Sequence, residues 1–392
     1  MPFLPRRNPQ YRNLQVCELL NIPNNPASAY GIARNKHSSR VALAEAGLRT
    51  PKSATMSSLD DVDEAMKKVP FPLVVKPTAG AGSMGVFRAN TEDDLKMYVG
   101  RVFEEIAKSQ ILAQNPGVSN EAPCMIEEFL QPKKFGNLPV GEFDVDVLMW
   151  NGESVYARVC DNWLPSPPYF LENGSNFPSV VPEDVQKELE KYSVDCCKAM
   201  GFNRGAFHVE CIYTEEGAQL IEVNPRVGGG PDEHFHLSVT GVHMTQNFLL
   251  SMMDIPINPP RADKDRKCIV HYDVCCPKTG RLDNLNFFRE ALENKYLVSH
   301  EFYVKEGIDV IGFDTTIPQW LGALFMEGAP EEAAEVVLAM EKEGNRLLDL
   351  VEVTPKDMTI KRRGSRKASV FIDGDLPSFE PKAQRKQSVS DE

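Results

Sequence analysis

The sequence predicts an α/β fold, of the α+β kind in which helices cover antiparallel sheets. Three observations predict it. "GEFDVDVLMWNGESVYARVC" alternates apolar and polar residues on both sides of an Asn-Gly pair, the pattern of a hairpin. "GAFHVECIYTEEGAQLIEVNP" repeats it around "EEG". Between them, "PEDVQKELEKYSVDCCKAMG" carries apolar residues at helical spacing, with Pro near its start and Gly after its end. The chain has 392 residues, 42% hydrophobic and 25% charged, enough for a large core and for two or three domains. A net charge of −13 with no basic footprint in the body excludes the usual nucleic-acid binder. The nine cysteines include no CxxC pair, which excludes zinc-ribbon and thioredoxin chemistry and predicts reduced, partly buried thiols. The N-terminal "MPFLPRRNPQ" has no apolar run of signal-peptide length. No stretch approaches the ~20 apolar residues of a membrane span, so a soluble, cytoplasmic protein is expected.

The remaining elements follow in chain order. Residues 1 to 30 are rich in Asn and Pro and are expected to be irregular. "NKHSSRVALAEAGLRTP" predicts a short helix ending near Gly47. "PFPLVVKPTAGAGSMGVFRA" predicts a strand, a Gly-rich turn and a strand, and "TEDDLKMYVGRVFEEIAKSQ" a helix capped by Thr91. "APCMIEEFL" reads as a short buried strand, and "DEHFHLSVTGVHMTQNFLLSMM" as largely helical. Residues 268 to 355 look like a smaller α+β unit, with "KCIVHYDVCC", "LVSHEFYVKEG" and "TIPQWLGALFMEG" as strands and "PEEAAEVVLAMEKEGNRLL" as a helix. From about Lys356 the chain is polar and aperiodic, and a disordered tail is expected.

Two stretches carry chemistry. In "VVKPTAGAGSMGV" a strand ends on Lys76 and runs into Gly80, Gly82, Ser83 and Gly85. Such a loop lets backbone N–H groups approach phosphate oxygens, although a glycine-rich turn without a ligand explains it nearly as well. It is not a P-loop, which needs Gly-Lys-Ser/Thr opening a helix, nor a dinucleotide fingerprint, because a strand follows. In "IEVNPRVGGG" Glu222, Asn224 and Arg226 alternate, so an extended strand aims them to one face. Glu210 in "FHVEC" lies one hairpin strand away, so Glu210, Glu222 and Asn224 converge as oxygen ligands of the kind hard Mg²⁺ prefers. Arg226, one step on, would stabilise charge on a transferring phosphoryl group. The Gly228-Gly229-Gly230 run marks backbone that a ligand approaches, with Gly229 as a candidate substrate contact. A solvated surface strand would explain one Glu, but not both strands and the glycines.

Together these stretches resemble the ATP-grasp ligases. "NKHSSRVALAEAGLRTP", "FPLVVKPTAGAGSMGV", "MIEEFL", "GEFDVDVL" and "GAFHVECIYTEEGAQLIEVNPRVGGG" stand in the family's order across roughly residues 15 to 350. The resemblance implies an ATP-grasp fold, two subdomains gripping ATP between antiparallel sheets. Residues 1–50 would be the remnant of a preceding domain with its linker helix, 51–125 the small lid subdomain and 126–260 the large catalytic subdomain. Residues 261–355 would be a C-terminal α+β extension packed against it, and 356–392 a disordered tail. It implies that Lys36 and Lys76 hold ATP phosphates under a flexible lid from Gly80 to Gly85. Glu127 to Leu130 would form the hinge against adenine, with backbone bonds from Glu128 and Leu130, and Glu142 would lie near the ribose. Glu210, Glu222 and Asn224 would bind Mg²⁺ (or Mn²⁺), as two ions, and Arg226 would be catalytic.

Within the superfamily, "DNWLPSPPYFLENGSNFPS" followed by "GAFHVE" resembles the amino-acid ligases of the dipeptide-synthetase and carnosine-synthase type. That implies an ADP-forming carbon–nitrogen ligase that joins two amino acids through an acyl phosphate, with Glu172 pairing to a substrate ammonium. Dipeptide-forming relatives often carry Glu-x-Gly-His where this chain has Glu172-Asn173-Gly174-Ser175, which leaves the amine partner open. Two alternatives stand beside it: an ATP-grasp ligase or carboxylase acting on another small carboxylic acid, and a catalytically idle nucleotide-binding regulatory protein. Expected partners are amino acids and a second copy of the chain. "RRGS", "RKAS" and "RKQS" offer Ser365, Ser369 and Ser388 to a basophilic kinase, or are an unmodified basic linker. Trp163, Tyr169 and Phe170 either line a pocket or only pack. His208, and His234 and His236 beside Phe235, are candidates for pocket or scaffold, and Arg204 for a carboxylate contact or a solvated turn.

Overall fold

A computed structural model describes residues 17, 19–80, 82–83, 85–108, 122–165, 170–260, 264–291, 293–314 and 318–356. Tyr169, Ser365, Ser369 and Ser388 lie outside these residues. The first sheet has four antiparallel strands in the order β1-β4-β2-β3: β1 (Ser53–Met56), β2 (Leu73–Pro77), β3 (Phe87–Ala89) and β4 (Cys124–Glu128). Its apolar face, with Met56, Leu73, Val75 and Ile126, packs on a helix, Glu92–Lys108, through Leu95, Val99 and Val102. That helix starts as expected: Thr91 Oγ1 accepts from Asp94 N–H, and Asp94 Oδ2 accepts from Asn90 and Thr91 N–H. Strand β4 crosses the expected subdomain limit at 125/126 and belongs wholly to this small sheet.

The second sheet has eight strands in the order β12-β14-β10-β7-β6-β5-β8-β9. Its central hairpin joins β5 (Val140–Trp150) and β6 (Glu153–Trp163) through Asn151 and Gly152, both left-handed at φ 50° and 81°, which the "NG" pair predicts. The second hairpin pairs β8 (Gly205–Thr214) with β9 (Gly217–Asn224). Strand β7 (Gly174–Phe177) bonds to β6 on one side and β10 (Cys268–Cys275) on the other. Strands β14 (Trp320–Gly328) and β12 (Leu297–Phe302) complete the sheet. A third, three-stranded sheet pairs Gly280–Leu282 (β11) with Asp309–Val310 (β13) and Val353–Pro355 (β15). Strands β10, β14 and β12 therefore continue the large sheet rather than forming a separate unit packed against it. The sequence shows three strands there but not which edge they extend.

One face of the large sheet is dry. Phe143, Val145 and Val147 of β5, with Val209 and Val223, pack on helix Glu183–Ala199 through Leu189, Tyr192 and Cys196. Val270, Tyr272 and Val274 of β10 pack on helix Ala333–Leu350 through Val336, Met340 and Leu347. Strand periodicity sends Glu142, Asp144, Asp146 and Leu148 of β5 to the opposite face. One end of that face is covered by the segment 232–252: Phe235 and Val239 meet Phe177 and Ile269, while Val242 and Met244 meet Leu148 and Tyr156. The segment is a short helix (Asp232–Phe235), a π-helical turn (His236–Thr240) and a helix (Met244–Met252), broken at Gly241, φ 80°. The other end of the face stays polar.

The expectation that residues 1 to 30 are irregular is corrected from Ala27 onward; residues 1–16 and 18 lie outside the described residues. A helix begins at Ala27 and runs to Arg34, which we call α1, followed by α2 (Lys36–Glu45). Its alanines, Ala29 and Ala33, bury against the large sheet's core, so packing supplies what the Asn- and Pro-rich flank obscures. Asn35 separates the two helices and caps α2, its side chain accepting from Ser38 N–H. Eight of the nine cysteines are buried and none is bonded to another. Among the described residues no helix is long and apolar enough to cross a membrane.

Gly174 tests the packing under this face. A Cβ there would lie 2.3 Å from Cε3 of Trp163, whose ring is buried and whose Nε1–H donates to Asn176 Oδ1 at 3.0 Å. Gly174→Ala is expected to lower unfolding free energy by about 1–3 kcal/mol, read by urea denaturation.

Candidate active site

The hairpin β8–β9 aligns the predicted oxygen ligands directly. Glu210 pairs with Glu222 and His208 with Asn224 across the ladder. Asn224 Nδ2 donates to Glu210 Oε1 at 3.0 Å and to Glu222 Oε1 at 3.2 Å. The register shifts between Glu210 and Cys211, whose partner is Leu220, so Ile221 is an extra residue bulged out of β9. Lys36, at the start of α2, forms an ion pair with Glu222. Arg226, beyond the strand, is exposed, and its Nη1 donates to the Val227 carbonyl at 3.0 Å.

Strand β5 adds a row of acids that only Glu142 represented in the sequence reading. Glu142, Asp144 and Asp146 alternate with the core residues Phe143, Val145 and Val147 and share the polar face. Asp144 pairs with Glu210 and Asp146 with His208 across to β8. The signal was legible in "GEFDVDVL", whose period-two alternation marks all three carboxylates. Asp232, which completes the cluster, has no such signal, because it reaches the site only through the chain's return from β9. Glu172 faces the same row: Asn162 Nδ2 donates to Asp144 Oδ2 at 2.7 Å and to Glu172 Oε2 at 3.2 Å.

His208 is the hub of this cluster. Its Nδ1 lies 3.1 Å from Asp146 Oδ1 and 3.4 Å from Asp232 Oδ2, and its Nε2 lies 3.6 Å from Asp144 Oδ1. Burial favours the neutral ring, but the carboxylates of Asp144, Asp146 and Asp232 outweigh it and raise the imidazole well above its ordinary range. His236 lies behind: Nε2 is 2.7 Å from Asp146 Oδ2 and Nδ1 is 2.6 Å from the Tyr156 hydroxyl. Of the two histidines flanking Phe235, His236 is therefore buried scaffold, while His234 is exposed, edge-on to Phe325. Trp163 packs in the core against Tyr272, and Arg204 pairs with Asp254 at 2.6 Å.

The acids are short of cations. Burial and the neighbouring Glu222 push Glu210 up to about 8, and burial and Asp146 push Asp232 up to about 7. Glu142 is raised by burial, then by Glu172 and Glu210, and Asp144 by burial above all. Of the two predicted carboxylate ligands, Glu222 is held down: burial opposes ionisation, but Lys36 overcomes it. Carboxylate oxygens crowded until they resist ionising are the donor set that a hard divalent cation satisfies, so these residues fit Mg²⁺.

Across from them, the small sheet presents Lys76, Glu127 and the glycine loop. Lys76, at the end of β2, is 4% exposed and forms an ion pair with Glu127 of β4. The Glu127 side chain is therefore a buried counter-ion. The Glu128 N–H donates to the Lys52 carbonyl at 2.9 Å, so the expected backbone bond from this residue is left to its carbonyl; Leu130 follows, half-buried. Gly80 begins the loop; Gly82, Ser83 and Gly85 take φ 63°, 54° and 72°, and Gly85 has Pro77 within 3.4 Å of where a Cβ would stand. In the second glycine run the tight position is Gly228, where a Cβ would lie 1.8 Å from Asp232 Oδ2. Gly229 has open space around it.

The family model described as the ATP-grasp domain matches residues 69–232. Carnosine synthase 1 from Gallus gallus is 30% identical over 224 residues, 55% of this chain and 23% of that protein. Alanine–anticapsin ligase from Bacillus amyloliquefaciens is 26% identical over 250 residues, 60% of this chain and 50% of that one. The chain thus spans a quarter to a half of the length of these relatives. The crystal structure of the L-amino acid ligase from Bacillus licheniformis superposes with TM-score 0.66 at 18% identity, over 88% of this chain and 78% of that one, a likeness of fold.

Lys76 gives the site a measurable signature. Burial, opposed by Glu127, brings its ammonium from 10.5 down to about 8. Between those values the unfolded chain binds the proton and the folded chain does not, so this group makes stability rise with pH from about 8 to about 10. Lys76→Met is expected to remove that rise, which urea denaturation from pH 7.5 to 9.5 would read as a flatter profile than the wild type.

Proposed function

We propose that the chain, whose residues 69–232 match the ATP-grasp domain, is a Mg²⁺- and ATP-dependent carbon–nitrogen ligase that joins two amino acids. The observation that most supports this reading is the meeting of Glu210, Glu222 and Asn224 on one open sheet face, with Lys36 beside them. In this reading Lys36 and Lys76 bind the triphosphate, and the loop from Gly80 to Gly85 covers it and excludes water. Adenine lies against the segment from Glu127 to Leu130, bonded to the Glu128 carbonyl and the Leu130 N–H, with Glu142 towards the ribose. Mg²⁺ on Glu210, Glu222 and Asn224 supplies charge neutralisation for the phosphates.

A carboxylate oxygen of the first amino acid attacks the γ-phosphorus, and the bond to the β-phosphate oxygen breaks to release ADP. Arg226 stabilises the charge spread over the transferring group. The amine of the second amino acid then attacks the acyl carbon, loses a proton, and the carbon–oxygen bond breaks to release phosphate. Glu172, raised by burial and backed by Asn162, orients a substrate ammonium. Gly229, with open space around it, lets a substrate approach the backbone. No protein nucleophile is required; alignment and fixed charge lower the barrier.

The test is phosphate release from Mg²⁺-ATP across a grid of amino-acid pairs, with products identified by mass spectrometry. Release should require two amino acids together, and Arg226→Ala should reduce it by about 10³-fold or more. Nucleotide binding without release for any pair would overturn the ligase reading.

A further inference from the structure

Arg40 lies outside every role assigned above, yet it is the most deeply placed cation near the site. It projects from α2 and is 2% exposed. Its Nε donates to Glu127 Oε2 at 3.1 Å, and its Nη2 lies 3.0 Å from the same oxygen. The same Nη2 donates to the Ile221 carbonyl at 2.9 Å, the residue bulged out of β9 next to Glu222. Among the described residues its Nη1 has no hydrogen-bond partner. Lys76 takes the other oxygen, Oε1, of Glu127. One buried carboxylate is thus shared by two cations, one fixed by a planar fork and one on a flexible stem.

We propose that Arg40 is a positioning residue for nucleotide binding: it keeps Glu127 charge-compensated, so that Lys76 can leave Glu127 for a phosphate. The inference rests on the reading of Lys76 as a phosphate ligand. If Arg40 were absent, Lys76 would be the only counter-ion of Glu127. Moving it to a phosphate would then strand a buried carboxylate, and the cost would appear as lost affinity. With Arg40 in place the transfer leaves Glu127 paired throughout. The bond to the Ile221 carbonyl fixes the guanidinium against β9, so the same side chain ties the small sheet's β4 to the strand that carries Glu222.

The experiment is calorimetric titration of the full chain with Mg²⁺-ADP, on wild type, Arg40→Met, Glu127→Gln and the double variant. Arg40→Met is expected to bind about tenfold or more weakly. The added Glu127→Gln, which needs no counter-ion, should return affinity to within about threefold of Glu127→Gln alone. A merely structural role gives no such rescue, so a double variant as weak as Arg40→Met overturns the inference, as does Arg40→Met binding like wild type. Should Arg40→Met fail to fold, Arg40→Lys keeps the charge without the fork; it should show a smaller loss, again relieved by Glu127→Gln, and absence of both would overturn the inference. Wild type that binds no nucleotide overturns the reading of the site itself, and the inference with it.

Discussion

Charge compensation on the open face of the large sheet is the constraint on which the rest depends. Glu142, Asp144, Asp146, Glu172, Glu210, Glu222 and Asp232 are crowded there, and a sheet holding them needs positive charge close by. His208 supplies it at the centre, Lys36 at the edge of β9, and Arg40 and Lys76 across the cleft. Three of those four cations come from outside the sheet, two of them from α2. The short helix is therefore as much a part of the site as the strands, because it carries charge to both sheets at once.

Much of this was legible in the sequence, for identifiable reasons. The hairpins β5–β6 and β8–β9 declare themselves because their turns need left-handed residues and their faces alternate with period two. The same period puts Glu210, Glu222 and Asn224 together. What was not legible needed information that local patterns do not carry. Strand order depends on which edges meet, so the C-terminal strands looked like a separate unit. Asp144 and Asp146 share the period-two pattern of Glu142, but which face of β5 stays open is decided by packing that the pattern alone does not carry. Arg40 sits in a plain amphipathic helix and acquires meaning only through Glu127 and the bulge at Ile221. The helix at Ala27–Arg34 holds by burying small alanines, a weak signal beside its Asn and Pro neighbours.

Residues 69–232 match the ATP-grasp domain, and the crowded oxygen donors, with Lys36 beside them and Lys76 across from them, are chemistry of the kind the proposed ligase would use to align and neutralise its substrates rather than attack them. Ser175 sits on β7, opposite His271 of β10, so the strand that follows Glu172 is supported by the C-terminal strands.

That continuity bears on how such proteins can be recombined. Strand β7 is hydrogen-bonded to β6 on one side and β10 on the other, so the C-terminal segment is spliced into the same sheet as the hairpin β8–β9. A chimera cut between the two would leave an open sheet edge with Ser175 and His271 on separate parents. Any exchange of specificity by gene fusion must therefore move the strands as one cassette, or redesign both sides of the seam together.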